Sequence, residues 1–213
     1  MYNLPYYKEK DRQVLLTFMK QHPFAMVIGC ANDLPAVTQI PLLVEEREDK
    51  LFLVGHFMRN TDHHKTFSQN SNALCVFTGP HTYVSASLYT NPLTASTWDY
   101  IAIHARGKMQ FVGNEALLTI LKKTTELFEN ENHSPASYNK LPNEYVEKLL
   151  PAIIGFEIEV TELDNVFKLS QNRDEPSYQN IINHLDEGDE HAKQIATEKK
   201  SRKQKLFNEK SVL

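Results

Sequence analysis

The sequence predicts a mainly β protein with flanking helices (α+β), built from six or seven antiparallel strands arranged as a barrel. Three observations lead there. Short apolar runs bounded by turn residues recur along the chain, and residues 81–89 and 98–111 alternate polar and apolar side chains with the period of a strand. Few helical patterns separate these runs, so most neighbouring strands lack the long crossovers that parallel pairing needs. Only 7 glycines occur, and none forms G-x-G-x-x-G or G-x-x-x-x-G-K-[ST], which argues against a dinucleotide fold and a P-loop.

Each element follows from local chemistry. Residues 8–21 place Val14, Leu15, Phe18 and Met19 on one helical stripe, and His22-Pro23 ends it because the residue before proline avoids helical angles. Residues 24–31 are a continuous apolar run of strand length, followed by the turn pair Asn32-Asp33. Residues 35–45 read as its hairpin partner, with Pro41 marking an edge or strand end because it lacks an N–H. Residues 51–55 give a third strand, 61–69 a short polar helix, and 73–78 a fourth strand.

In residues 81–89 one face carries His81, Tyr83, Ser85, Ser87 and Tyr89. In residues 98–111 Trp98, Tyr100, Ala102, His104, Arg106 and Lys108 oppose Ile101, Ile103, Ala105, Met109 and Phe111. Helices are expected at 113–130 and 143–150, a strand at 153–160, a short strand at 167–169, and helix from about 177 onward. The expected organisation is one barrel domain, residues 1–175, and a helical extension, residues 176–213, with a basic tail.

Composition narrows the class. Apolar residues at 41% and charged residues at 23% exclude a disordered or collagen-like chain. No apolar run approaches the ~20 residues of a membrane-spanning helix, and the first residues lack the basic and apolar regions of a signal peptide. Cys30 and Cys75 sit in apolar runs and read as buried thiols of a reducing compartment, so a cytoplasmic location is expected. Residues 193–210 hold seven basic and two acidic side chains, a net +5 within a chain of net −4, which leaves −9 for the rest. That tail is a candidate DNA contact. Glu198 and Arg202, at i,i+4 spacing, also suit a solvated helix end.

Three regions carry chemistry. Tyr83, Ser85, Tyr89, Trp98, Tyr100 and His104 suit stacking on a planar ring, and equally suit packing against a helix or partner. Gly55-His56-Phe57-Met58-Arg59-Asn60 leaves a strand for a helix that carries Lys65, a place for an anion with Arg59 as the fork donor. Lys168-Leu169-Ser170-Gln171-Asn172-Arg173 is a polar run at a strand end, read either as a ligand contact or as a solvated loop. His56, Asp62, His63 and His64 lack metal-site spacing, and no metal is expected. The cysteines have no adjacent base, and Ser85 and Ser87 lack a G-x-S-x-G elbow.

Taken in order, these motifs resemble the PaiB family, FMN-binding negative transcriptional regulators with a split-barrel fold. The matching stretches are Pro35-Ala-Val-Thr-Gln-Ile-Pro-Leu42, Gly55-His56, Gly79-Pro80-His81-Thr82-Tyr83-Val84-Ser85, Thr97-Trp98-Asp99-Tyr100, Gly155-Phe156 and Lys168-Leu-Ser-Gln-Asn-Arg173. The resemblance implies FMN in a groove between the subunits of a homodimer. It places Thr38, Gln39 and Pro41 near the isoalloxazine edge, His56, Arg59 and Asn60 near the ribityl phosphate, and Tyr83, Ser85, Trp98 and Tyr100 along the groove. Lys168 and Gln171 would close it. The chain departs from the family pattern at Gln39, at Asn60-Thr61-Asp62-His63, at Leu88 and at Asp99. Two alternatives follow: a flavin-dependent oxidoreductase, such as a flavin reductase or oxidase-like enzyme, and a member that has lost FMN.

Overall fold

The computed structural model describes residues 1–129 and 134–210. Seven strands form one sheet: β1 (Phe24–Ala31), β2 (Leu34–Pro41), β3 (Leu43–Arg47), β4 (Lys50–Met58), β5 (Asn72–Val84), β6 (Thr97–Val112) and β7 (Ile153–Lys168). Their hydrogen-bonded order is β2-β1-β5-β6-β7-β4-β3. The pairs β1–β2, β1–β5, β3–β4 and β4–β7 are antiparallel. The helices are α1 (Arg12–Gln21), α2 (Asp62–Gln69), α3 (Asn114–Phe128), α4 (Asn143–Leu149), α5 (Glu175–Asp186) and α6 (Glu190–Lys210). The predicted end of α3 at Asn130 lies outside the described residues. Among the described residues no helix is long and apolar enough to cross a membrane.

The chain forms two compact units. The first comprises Met1–Leu15, Thr78–Ile103 and the stretch from Asn165; the second comprises Leu16–Phe77 and His104–Asp164. The C-terminal helices thus belong to the same unit as the N-terminal segment and residues 78–103.

In the second unit, β1 buries alternate residues Ala25 and Val27. Asn32 and Asp33 both hold left-handed angles (φ 50 and 60), the geometry that matches the twist of a two-residue hairpin. The Phe57 ring lies 5.0 Å from Phe156, 6.1 Å from Phe111 and 6.4 Å from Phe67. Each fully buried side chain of this size contributes roughly 1.5–3 kcal/mol. The expected strand 35–45 is two strands. Pro41 offers no N–H, and the Leu42 amide turns away to the Pro23 carbonyl at 2.9 Å.

The first unit is organised by helix stripes. Tyr178, Ile181, Ile182 and Leu185 are buried on α5, and Ala192, Ile195 and Ala196 on α6. Side-chain caps set the boundaries. Asp174 accepts from the Ser177 amide, and Asp189 from the Ala192 amide, both at 2.8 Å. Asp11 accepts from the Gln13 amide at 2.8 Å, so α1 begins at Arg12 rather than at residue 8.

Three further expectations are corrected. Residues 73–78 and 81–89 are not two strands: β5 runs through Gly79-Pro80 to Val84. The Ser85 hydroxyl then accepts the Ser87 amide and turns the chain into a short 3₁₀ segment, so Ser85, Ser87 and Tyr89 share no strand face. Residues 153–160 and 167–169 are one strand, β7, whose exposed Thr161 and Glu162 hid its continuity. Cys30 is exposed, because only the Ala25–Val27–Gly29 face of β1 is covered near the turn.

Cys75 is buried, and burial pushes its thiol up to about 12. Cys30 is therefore expected to react promptly with a thiol reagent in the folded protein, and Cys75 only after unfolding. Ellman titration with and without denaturant checks this; two fast thiols in the native state would contradict the burial of Cys75.

Candidate functional site

The residues singled out from the sequence fall into two sets, one in each unit. Thr38, Gln39, Pro41, His56, Arg59 and Asn60 are in the second, and Tyr83, Ser85, Trp98, Tyr100, Lys168 and Gln171 in the first.

In the second unit, β4 passes close to Pro41 at Gly55, the residue before His56. A Cβ at Gly55 would lie 3.3 Å from the Pro41 carbonyl oxygen and 2.9 Å from the Phe156 ring, so only glycine lets β4 pass this tightly. Thr38 pairs with Val27 and Gln39 with Met26; Gln39 is exposed and Thr38 half-buried. β4 ends at Met58, and Asn60 adopts a left-handed angle (φ 63) that turns the chain into α2. Its amide donates to His64 Nδ1 at 3.0 Å. Arg59 is held by its backbone, the amide donating to the Ala152 carbonyl at 2.8 Å. Its half-buried guanidinium makes no ion pair among the described residues. An unpaired guanidinium beside the start of a helix suits an anionic group such as a phosphate.

His63 lies between Asp62 (Nδ1 to Oδ1, 3.1 Å) and Thr61 (Nε2 to Oγ1, 2.9 Å), while the Thr61 hydroxyl donates to the Met58 carbonyl. These are local contacts at the start of α2, where the Thr61 side chain makes no capping bond to a helix amide. Among the described residues no group of three or more His, Cys, Asp or Glu side chains is placed to hold a metal ion.

Burial pushes His56 below the ordinary histidine value, so its neutral form is favoured. On acidification the unfolded chain takes up this proton first. The stability carried by neutral His56 is therefore complete above 6.5, the unperturbed value, and is lost as pH falls through the lowered folded value. His56→Asn should flatten the fall of the urea midpoint as pH drops below 6.5. An unchanged slope would show that His56 does not titrate differently on folding.

In the first unit, Tyr83 and Trp98 are more than half exposed, and their rings meet edge-on at 5.9 Å. Tyr100 is half-buried, and burial raises its phenol. The Ser85 hydroxyl is engaged with Ser87 at 2.9 Å. Lys168 is buried beneath Trp98, its Nζ donating to the Trp98 carbonyl at 2.5 Å and to the Thr97 hydroxyl. Burial lowers its pKa, against the opposing charge of Asp99. Gln171 is buried and closes a turn: Nε2 donates to the Phe167 carbonyl at 2.5 Å, and Oε1 accepts the Leu169 amide at 2.8 Å.

Sequence reasoning missed the centre of this unit. Asp99 and Lys199 are fully buried and paired at 3.0 Å, and the second Asp99 oxygen accepts the Ser170 hydroxyl at 2.8 Å. The sequence groups Lys199 with a tail read as DNA contact or solvated helix end. The available signal was its place seven residues after Ala192 and four after Ile195, on the apolar stripe of α6. Its neighbours are paired too: Lys200 with Asp186, Arg202 with Glu9 and Glu198, and Lys203 with Glu175.

Residues 1–162 match the protein family described as "Putative FMN-binding domain". A relative from Bacillus subtilis (strain 168), the Protease synthase and sporulation protein PAI 2, is 32% identical over 197 residues, which is 92% of this chain and 95% of that protein. Among solved structures, the FAD and heme binding protein from Mycobacterium smegmatis matches with a TM-score of 0.54 at 15% identity, covering 75% of this chain and 72% of that one. The flavocytochrome Anf3 from Azotobacter vinelandii gives 0.56 at 13% identity, covering 84% and 78%. At such identities the likeness shows the fold alone: an antiparallel split barrel with flanking helices, the class predicted from the sequence.

Proposed function

We propose, from the premise that this chain belongs to the FMN-binding domain family and is of the PaiB type, that it is a flavin-dependent negative regulator of transcription acting as a homodimer. FMN is the cofactor of that family. When bound, it would supply a redox-active ring, and the chain's own residues would hold and orient it.

The observation that carries the reading is Arg59. Arg59 is half-buried, pairs with no carboxylate among the described residues and shortly precedes α2; a guanidinium so placed suits a phosphate. His56 and Asn60 are proposed to accompany it, with Thr38, Gln39 and Pro41 as backbone and edge contacts of the ring. Tyr83 and Trp98 are proposed as stacking groups, with Ser85, Tyr100, Lys168 and Gln171 as their neighbours. The regulatory part is supported by the PAI 2 relative, whose name concerns protease synthesis and sporulation.

A homodimer fits the exposed face of β1 and β2, where Phe24 and Val37 are 61% and 52% exposed. A cytoplasmic location belongs to the same reading. DNA contact through residues 193–210 would fall chiefly to Lys193 and Lys205, since Lys199, Lys200, Arg202 and Lys203 are engaged within the chain.

The test is an FMN titration followed by flavin fluorescence, with the visible spectrum of the purified protein. Binding near one FMN per chain is expected, and Arg59→Ala should weaken it by roughly 10- to 100-fold, the loss of a charge-assisted contact. A colourless protein that ignores FMN would reject the reading. Turnover of NAD(P)H by the loaded protein would favour the oxidoreductase alternative.

A further inference from the structure

We propose that Lys199 is a positioning residue: through Asp99 it fixes the aromatic stretch of β6, and it thereby couples α6 to flavin occupancy. The coupling, unlike the positioning, rests on the flavin reading above. Lys199 shares the buried stripe of α6 with Ala192, Ile195 and Ala196, so its side chain points into the first unit. Its Nζ donates to Asp99 Oδ2 at 3.0 Å and to the Leu169 carbonyl at 2.6 Å, and lies 4.1 Å from the Tyr178 ring centroid. The Tyr178 hydroxyl in turn donates to the Lys199 carbonyl at 3.3 Å.

Asp99 stands between Trp98 and Tyr100, two of the proposed flavin contacts. Lys168 ties the same stretch through the Trp98 carbonyl and the Thr97 hydroxyl. Thr97, Trp98 and Asp99 are thus pinned by residues 168–170 and by α6. The pin is tightly specified. Ser170 holds a left-handed angle (φ 59) that a non-glycine residue keeps only where its surroundings over-determine it. Gln171 closes that turn with both polar ends of its side chain.

A buried ammonium and a buried carboxylate are tolerated together and costly apart, so α6 cannot leave without exposing or stranding Asp99. A ligand that stacks on Trp98 and holds β6 in this arrangement favours docked α6. By linkage, docked α6 favours the ligand by the same factor.

Trp98 is the chain's single tryptophan, so its emission reports on this stretch without a label. The double variant Asp99→Leu/Lys199→Met removes both charges while roughly preserving volume. It is expected to keep its far-UV circular dichroism, to shift Trp98 emission and raise iodide quenching, and to bind FMN about 5- to 150-fold more weakly, the usual span of a coupling. Lys199→Arg, which keeps a cation opposite Asp99, should hold Trp98 emission near wild type. In the wild type, saturating FMN should slow amide exchange of α6 around Lys199.

A folded double variant with wild-type Trp98 emission overturns the positioning role. Unchanged α6 exchange in FMN-bound wild type overturns the coupling, however the variants behave. A wild type that takes up no FMN overturns the flavin reading instead, and Trp98 emission alone then decides the positioning role.

Discussion

Lys199→Met is expected to lower stability by about 3–5 kcal/mol, the usual result of stranding one member of a buried ion pair. Asp99 and Lys199 are each wholly inaccessible to solvent. Without Lys199, the Asp99 carboxyl keeps the Ser170 hydroxyl and the more distant charge of Lys168 but loses its ion-pair partner, and the Leu169 carbonyl loses a donor at 2.6 Å. The pair itself contributes far less than this figure. Burial pushes the Lys199 ammonium down in pKa, against the pull of Asp99, which reflects the desolvation this ammonium suffers. Asp99→Leu/Lys199→Met should therefore recover most of the loss, or exceed the wild type. Urea denaturation of the wild type, both single variants and the double variant gives the cycle. A single-variant loss below about 1 kcal/mol would mean that water reaches Asp99 or that the pair is neutral.

The same pair marks where the sequence stops being readable. β1 was legible residue for residue, because a continuous apolar run between His22-Pro23 and Asn32-Asp33 leaves few alternatives. The hydrophobic alternation of residues 98–111 likewise identified β6. β7 was legible only in pieces: Thr161 and Glu162 are exposed, and the cross-strand pair between Arg106 and Glu162 at 3.1 Å is invisible in one dimension. The candidate site shows the same limit. Lys168 and Gln171 stand out as polar residues at a strand end, but their partners in the first unit include the Trp98 and Phe167 carbonyls and the Thr97 hydroxyl. Periodicity assigns a residue to a face; it does not say which group, a hundred positions away, meets it there. The sequence reads Lys199 as part of a basic tail, either a DNA contact or a solvated helix end, although Ala192, Ile195 and Ala196 on its stripe are apolar; lysine is rarely buried.

Gly107→Ala is expected to cost about 3 kcal/mol, at the upper end of the usual penalty for inserting one methyl into a filled space. The new Cβ would lie 2.2 Å from the Glu159 carbonyl oxygen and 2.8 Å from Ile158 Cγ2. A flexible side chain can swing away from such a contact, but a backbone oxygen on the neighbouring strand moves only if the strands move. β6 and β7 are adjacent in the interior of the strand order, and Thr161 Oγ1 still reaches the Arg106 carbonyl at 3.3 Å beside this point. Relief therefore requires separating the two strands, and the nearby ladder bonds share the penalty. Gly113 supplies the contrast. A Cβ there meets nothing within 4 Å, and this residue precedes α3 without a side-chain cap. Gly113→Ser should be neutral or stabilising by roughly a few tenths of a kcal/mol, since a serine hydroxyl can accept from the first turn. Thermal or urea melts of both variants check the pair. If Gly107→Ala melted within about 1 kcal/mol of wild type, β6 and β7 would have to part at this point without loss of the ladder around it. The glycine would then not be required by their close approach.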